Sequence, residues 1–159
     1  MEKFIQNIIE AEKTLYSADH LIYTTFPLVH DKRILLQVMK SSATASTKII
    51  NTILQYDYIL KKIKLEKNPK ENFETFEKNC APRYEILPEE ILIIKELFKL
   101  NNLQKNSTMT FRRHKKIVIM SEDSTNKILT YEKTKEFLNT SRNILKKTKN
   151  YIKNNNPQN

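Results

Sequence analysis

The sequence predicts an all-α fold, an up-and-down bundle of about five helices with one small β-hairpin ahead of the last. Three observations carry this. The 159 residues include no glycine, where average usage of about 7% would supply roughly 11. Apolar residues recur three and four apart through long stretches, the signature of one-sided helices. Only one region, near residues 117–130, breaks that period with a β-branched run. The missing glycine also excludes functions. A Walker-type phosphate loop, a dinucleotide fingerprint and a Gly-x-Ser-x-Gly elbow all need it.

The first helix is expected over Glu2 to Thr24. Phe4, Ile8, Ala11, Leu15, Ala18 and Ile22 form one stripe, and Pro27 then breaks the helix. Asp31 suits the N-cap of a second helix of nearly 30 residues, with Leu35, Val38, Ser42, Ala45, Ile49, Ile53, Tyr56, Leu60 and Ile63 in helical register. The middle of that helix, Ser41 to Thr47, has only small side chains. It reads as a close helix crossing or as a small pocket edged by hydroxyls. Asn68 and Pro69 open a short third helix that ends in the loop Cys80-Ala81-Pro82-Arg83-Tyr84. Pro88, Glu89 and Glu90 open a fourth. Ile91 to Ile94, Leu97, Phe98, Leu100 and Leu103 make it apolar nearly all round, which predicts a central, buried helix.

Asn101 to Thr110 reads as a polar connection. Phe111 to Lys116 leads into Ile117-Val118-Ile119-Met120, and a turn-rich stretch separates that run from Lys127-Ile128-Leu129-Thr130. This is the predicted hairpin; two strands alone are marginal and need the bundle for support. Thr130 suits the cap of the last helix, whose inner face is Phe137, Leu138, Ser141, Ile144, Leu145, Thr148, Tyr151 and Ile152. The expected organisation is one domain over 1–153 and a polar, disordered tail over 154–159.

The net charge of +10 is concentrated in one region. It is zero over residues 1–60, +1 over 61–100 and +9 over 101–159. Lys, Ile and Asn make up 58 of 159 residues. Their AT-rich codons let genomic base composition account for part of the lysine, though not for its placement. At 100° per residue Lys135, Arg142, Lys146, Lys149 and Lys153 fall on one side of the last helix. Arg112, Arg113, His114, Lys115 and Lys116 add a second basic run before the hairpin. A surface of this kind suits phosphate neutralisation. A solvated basic face, or a surface for an acidic protein, fits the same residues. Aromatic residues near these cations are few (Phe111, Tyr131, Tyr151), so backbone-dominated binding of RNA or another polyanion is expected in preference to base stacking.

Catalytic patterns are sparse. His20, His30 and His114 have no metal-ligand spacing, and no metal or cofactor is expected. Cys80 reads as a small buried hydrophobe or, paired with a distant His, as a nucleophile. With one cysteine no internal disulfide forms. The N-terminal segment has no signal-peptide core and no apolar run reaches 18 residues, so a cytoplasmic protein without a membrane span is expected. One polar stripe stands out on the first helix: Glu12, Tyr16, Asp19 and Tyr23, with His20 adjacent. It reads as the wet edge of an amphipathic helix, or as a groove for a nucleotide or for acid–base work.

The segment Ala11-Glu12-Lys13-Thr14-Leu15-Tyr16-Ser17-Ala18-Asp19-His20, followed by a long helix rich in small residues, resembles HEPN-type helical bundles, in particular the small uncharacterised archaeal ones. The resemblance covers mainly residues 10–65 and the helix order. It implies a four- or five-helix bundle, often a homodimer. Members of that family act as metal-independent ribonucleases, partner nucleotidyltransferases or bind nucleotides. The ribonucleases carry an Arg followed four to six residues later by His. Here Arg112 and Arg113 precede His114 by two and one positions, and Arg33 is followed by no His over the next 80 residues. No catalytic residue is therefore carried over. A non-enzymatic, nucleic-acid-associated protein is expected in preference to an enzyme; the alternatives are a ribonuclease toxin in which His114 takes part, or a nucleotidyltransferase partner, and a homodimeric adaptor.

Overall fold

The computed structural model describes residues 2–106, 109–113, 116–120 and 126–155. Among these, the helices are α1 (Glu2–His20), α2 (Phe26–Val29), α3 (Arg33–Ile59), α4 (Pro69–Thr75), α5 (Pro88–Lys105) and α6 (Tyr131–Asn155). The strands are β1 (Met109–Arg113), β2 (Lys116–Met120) and β3 (Asn126–Thr130). The bundle and the hairpin before its last helix are as the sequence predicts. No described helix is long and apolar enough to cross a membrane.

Pro27 does not break the first helix. A π-helical turn, Leu21–Thr25, leads from α1 into α2, and helical backbone ends only at His30, whose φ of 53° is left-handed. Proline's ring clashes with the carbonyl four residues back and its nitrogen donates nothing. A wider turn immediately upstream, in which the Phe26 N–H reaches the Leu21 carbonyl, gives the ring room. α3 ends at Ile59, short of the Ile63 that the periodicity included. Lys61 adopts φ 58°, the Lys61 N–H reaches the Tyr58 carbonyl at 3.0 Å, and the Lys62 N–H reaches the Asp57 carbonyl at 2.9 Å. This is a Schellman stop built without glycine.

The central helix is α3, which packs against α1, α5 and α6. α5 is apolar on more than one side but buries mainly Ile91, Ile94, Leu97 and Leu100, while Leu92 stays exposed. The small residues of α3 have the role of a close crossing. Ser42, Ala45 and Ser46 are fully buried, and the Ser46 and Ser141 hydroxyls hydrogen-bond at 2.8 Å between α3 and α6. Ser42 also satisfies its hydroxyl on the Val38 carbonyl at 2.8 Å. Polar groups can sit in this crossing because each finds a partner.

A third strand joins the hairpin. β2 pairs antiparallel with β3 and also with β1, in the order β1-β2-β3. β1 begins in the stretch read as a polar connection, where Met109 and Phe111 alternate with Thr110 and Arg112. β2 is the middle strand, with Ile117, Val118 and Ile119 all buried, and Leu129 of β3 joins the same core. Thr130 caps α6 by accepting the Lys133 N–H at 3.0 Å. Helix α6 runs to Asn155, so Asn154 and Asn155 of the expected tail are helical, and the rest of that tail lies outside the described residues.

Candidate polyanion groove between α1 and α6

Two residue sets that the sequence presents separately meet in space. α1 and α6 lie side by side, and the polar stripe of α1 faces the basic side of α6. Arg142 pairs with Asp19. Lys149 Nζ donates to Glu12 Oε1 at 2.7 Å. The Asn139 amide donates to the Tyr23 hydroxyl at 3.0 Å. Between the two ion pairs lies a groove of about 370 Å³ lined by Glu12, Leu15, Tyr16, Arg142, Leu145, Lys146, Lys149 and Asn150. Leu15 and Leu145 are buried and make an apolar floor, while Tyr16 is 79% exposed at the rim.

The charge of this side is less open than the sequence suggests. Lys135 pairs with Glu132 at 3.0 Å and lies 4.2 Å from the Tyr131 ring centroid. The Glu132 hydrogen bond, foremost, holds its pKa above the ordinary lysine value. Arg142 and Lys149 are met by α1 carboxylates, whereas Lys146 has no ion-pair partner among the described residues. Lys153 sits one turn beyond Lys149. Both cross-helix pairs are solvent-exposed, with side-chain exposures of 51% and 34% for Arg142 and Asp19, and 45% and 54% for Lys149 and Glu12. Pairs of that kind are worth about 0–1 kcal/mol and open readily.

Of the α1 stripe the groove lining takes in only Glu12 and Tyr16. Glu12 and Asp19 are committed to cations, and His20 is exposed and outside the groove lining. The second basic run belongs to the sheet in so far as it is described. Arg112, Arg113 and Lys116 are in β1 and β2, and His114 and Lys115 fall outside the described residues. The sheet meets α6 at its N-terminal end, where β3 runs directly into Tyr131. Lys149 lies about 27 Å further along the helix axis. None of the described residues of that run lines the groove.

A buried cluster at the far end of α3 has no counterpart in the sequence patterns. Asp57 is fully buried. Its carboxylate accepts from the Tyr84 hydroxyl at 2.9 Å and pairs with the Arg83 guanidinium. The buried Cys80 thiol lies close enough to feel its charge. The Tyr84 ring lies against Tyr151 of α6 at 4.0 Å between centroids, and Lys62 Nζ donates to the Tyr151 hydroxyl at 2.9 Å. One carboxylate thus ties the 80–86 loop to α3 and, through tyrosines, to α6. The one signal in the sequence is a lone acid, Asp57, on the inner face of an apolar helix.

This cluster disarms Cys80. Burial first, then the carboxylate of Asp57, push its thiol up to about 12. Burial, with Asp57 again contributing, pushes the Tyr84 hydroxyl up as well. An activated cysteine needs the opposite shift. Both groups hold their protons in the folded state at pH values where the unfolded chain has released them. Stability is therefore complete below about pH 9, the ordinary thiol range, and falls as pH rises toward 12. Thermal melts should show the midpoint dropping between about pH 9 and 11, with a shallower early decline in Cys80→Ala. Thiol titration at about pH 8, just below the ordinary thiol pKa, should label Cys80 only after denaturant is added. Rapid labelling of the native protein would contradict the burial.

No group of three or more His, Cys, Asp or Glu side chains that could hold a metal ion occurs among the described residues. Neither family models nor curated proteins nor solved structures give a match to this chain. The functional reading therefore rests on the geometry of the groove.

Proposed function

We propose that this protein binds nucleic acid or a similar polyanion along the α1–α6 seam and does so without catalysis. One observation carries the reading: Arg142, Lys146 and Lys149 line a single groove that has an apolar floor and an exposed tyrosine at its rim. Lysines offer phosphates point charges, and an arginine can grip one bidentately. The net excess of +9 over residues 101–159 supports a long-range attraction for anions. The resemblance to HEPN bundles, taken with the absence of their Arg–His pair, supports binding over cleavage.

The test is fluorescence anisotropy with a labelled single-stranded RNA across a range of salt. The triple variant Arg142→Ala, Lys146→Ala, Lys149→Ala should weaken binding. Its log–log salt slope should be shallower than that of the wild type by about 0.7, for the phosphate on Lys146 alone, rising toward about 2 as Arg142 and Lys149 leave their carboxylates for phosphates. A companion variant with Arg112, Arg113, Lys115 and Lys116 changed to Ala measures what the second basic run adds. Undiminished binding by the triple variant would refute the seam as the site.

A further inference from the structure

From the geometry we infer that the groove holds one unpaired nucleotide, with its base stacked on Tyr16 and its phosphate on Lys146. This rests on the polyanion reading of the seam and narrows its ligand to single-stranded nucleic acid.

The two cross-helix ion pairs act as rungs. Asp19–Arg142 and Glu12–Lys149 are each seven residues apart on both helices, a separation of about 10.5 Å along the axes. Tyr16 lies between Glu12 and Asp19 on one helix, and Lys146 lies between Arg142 and Lys149 on the other. The space between the rungs is the groove itself, about 370 Å³. That is the lower part of the range of small-ligand sites.

Its chemistry is divided. The floor is apolar, from Leu15 and Leu145. Tyr16 is 79% exposed, and its hydroxyl has no hydrogen-bond partner among the described residues. A residue so exposed leaves its ring accessible to a flat partner. Among the described residues, Lys146 is the groove cation that no carboxylate holds. An unpaired nucleotide supplies both complements, a planar base and an anion one sugar away. A duplex supplies only the anion, because its bases are stacked on one another and cannot reach the ring. Stacking of a base on an aromatic side chain tolerates any sequence, so little sequence preference is expected.

The experiment measures four ligands against wild type, Tyr16→Ala and Tyr16→Phe: a single-stranded RNA of about 12 nucleotides, within the usual span of single-strand sites, carrying one 2-aminopurine; the same sequence as DNA; the RNA duplex; and heparin, a polyanion without bases. Wild type should prefer the single strands over the duplex and should quench the 2-aminopurine fluorescence. Tyr16→Ala should lose roughly tenfold in single-strand affinity, together with the quenching. Its heparin affinity should be unchanged, and Tyr16→Phe should behave as wild type. If Tyr16→Ala matches wild type on single strands while the triple cation variant is weakened, the stacking subsite is refuted and the electrostatic reading stands. If wild type binds none of the four, both fall.

Discussion

Replacing Asp57 by Ala is expected to lower the unfolding free energy by about 3–5 kcal/mol, the usual result of removing one partner from a buried ion pair. The carboxylate is fully buried and holds Arg83 and Tyr84 at once. Its loss leaves the Tyr84 hydroxyl buried without an acceptor, a penalty of about 1–3 kcal/mol. The Arg83 side chain is 34% exposed, so water recovers part of its solvation and the lower half of the range applies to that term. Asp57→Asn keeps an acceptor for Tyr84 and should lose less. The exposed pair Lys95–Glu77, at 2.9 Å, is the contrast: Lys95→Ala should change stability by no more than about 1 kcal/mol. Urea denaturation followed by circular dichroism reads all three. An Asp57→Ala variant as stable as wild type would mean that the cluster is incidental to the fold.

Legibility in the sequence follows the range over which each physical cause acts. Periodicity, caps and breakers are local, and they locate α3, α4, α5 and α6 to within a few residues. Asn68 accepts the Lys70 N–H at 2.9 Å, as its place before Pro69 implies. Pro27 misleads because its effect depends on the turn upstream; the π-helical turn that accommodates it leaves no mark in the apolar spacing. β1 is hidden because a stretch of mixed polarity becomes a strand only when a partner offers its edge, and β2 does so. The cations of α6 are legible as a face. The carboxylate partners of Arg142 and Lys149, however, lie more than 120 residues earlier, on α1. Tyr16 illustrates the same limit. Counted along the chain it is remote from every cation of the last helix, and only the packing of α1 on α6 sets it beside Lys146. The Asp57 cluster likewise joins Asp57 to residues as far as 27 positions away across a loop, with no repeat or motif to announce it.

The carboxylates of α1 restrain the groove as it stands. Glu12 and Asp19 occupy the very cations that a phosphate chain would use. The double variant Glu12→Gln, Asp19→Asn preserves shape and hydrogen-bonding capacity while releasing Lys149 and Arg142. Because the pairs are exposed, stability should change by no more than about 1 kcal/mol. Binding should change far more. At about 0.7 decade per released cation for each decade of salt below about 1 M, single-stranded RNA should bind up to about 25-fold more tightly at about 0.1 M. A gain of function has particular value, since damage to the fold cannot produce it.

The most decisive single experiment is therefore the salt dependence of single-stranded RNA affinity for wild type and for Glu12→Gln, Asp19→Asn side by side. A seam that binds polyanions through Arg142, Lys146 and Lys149 requires the variant to bind more tightly at low salt and to show a log–log slope steeper by up to about 1.4. Superimposable curves for the two proteins would contradict it, and would leave the cations of α6 as a solvated surface held in place by α1.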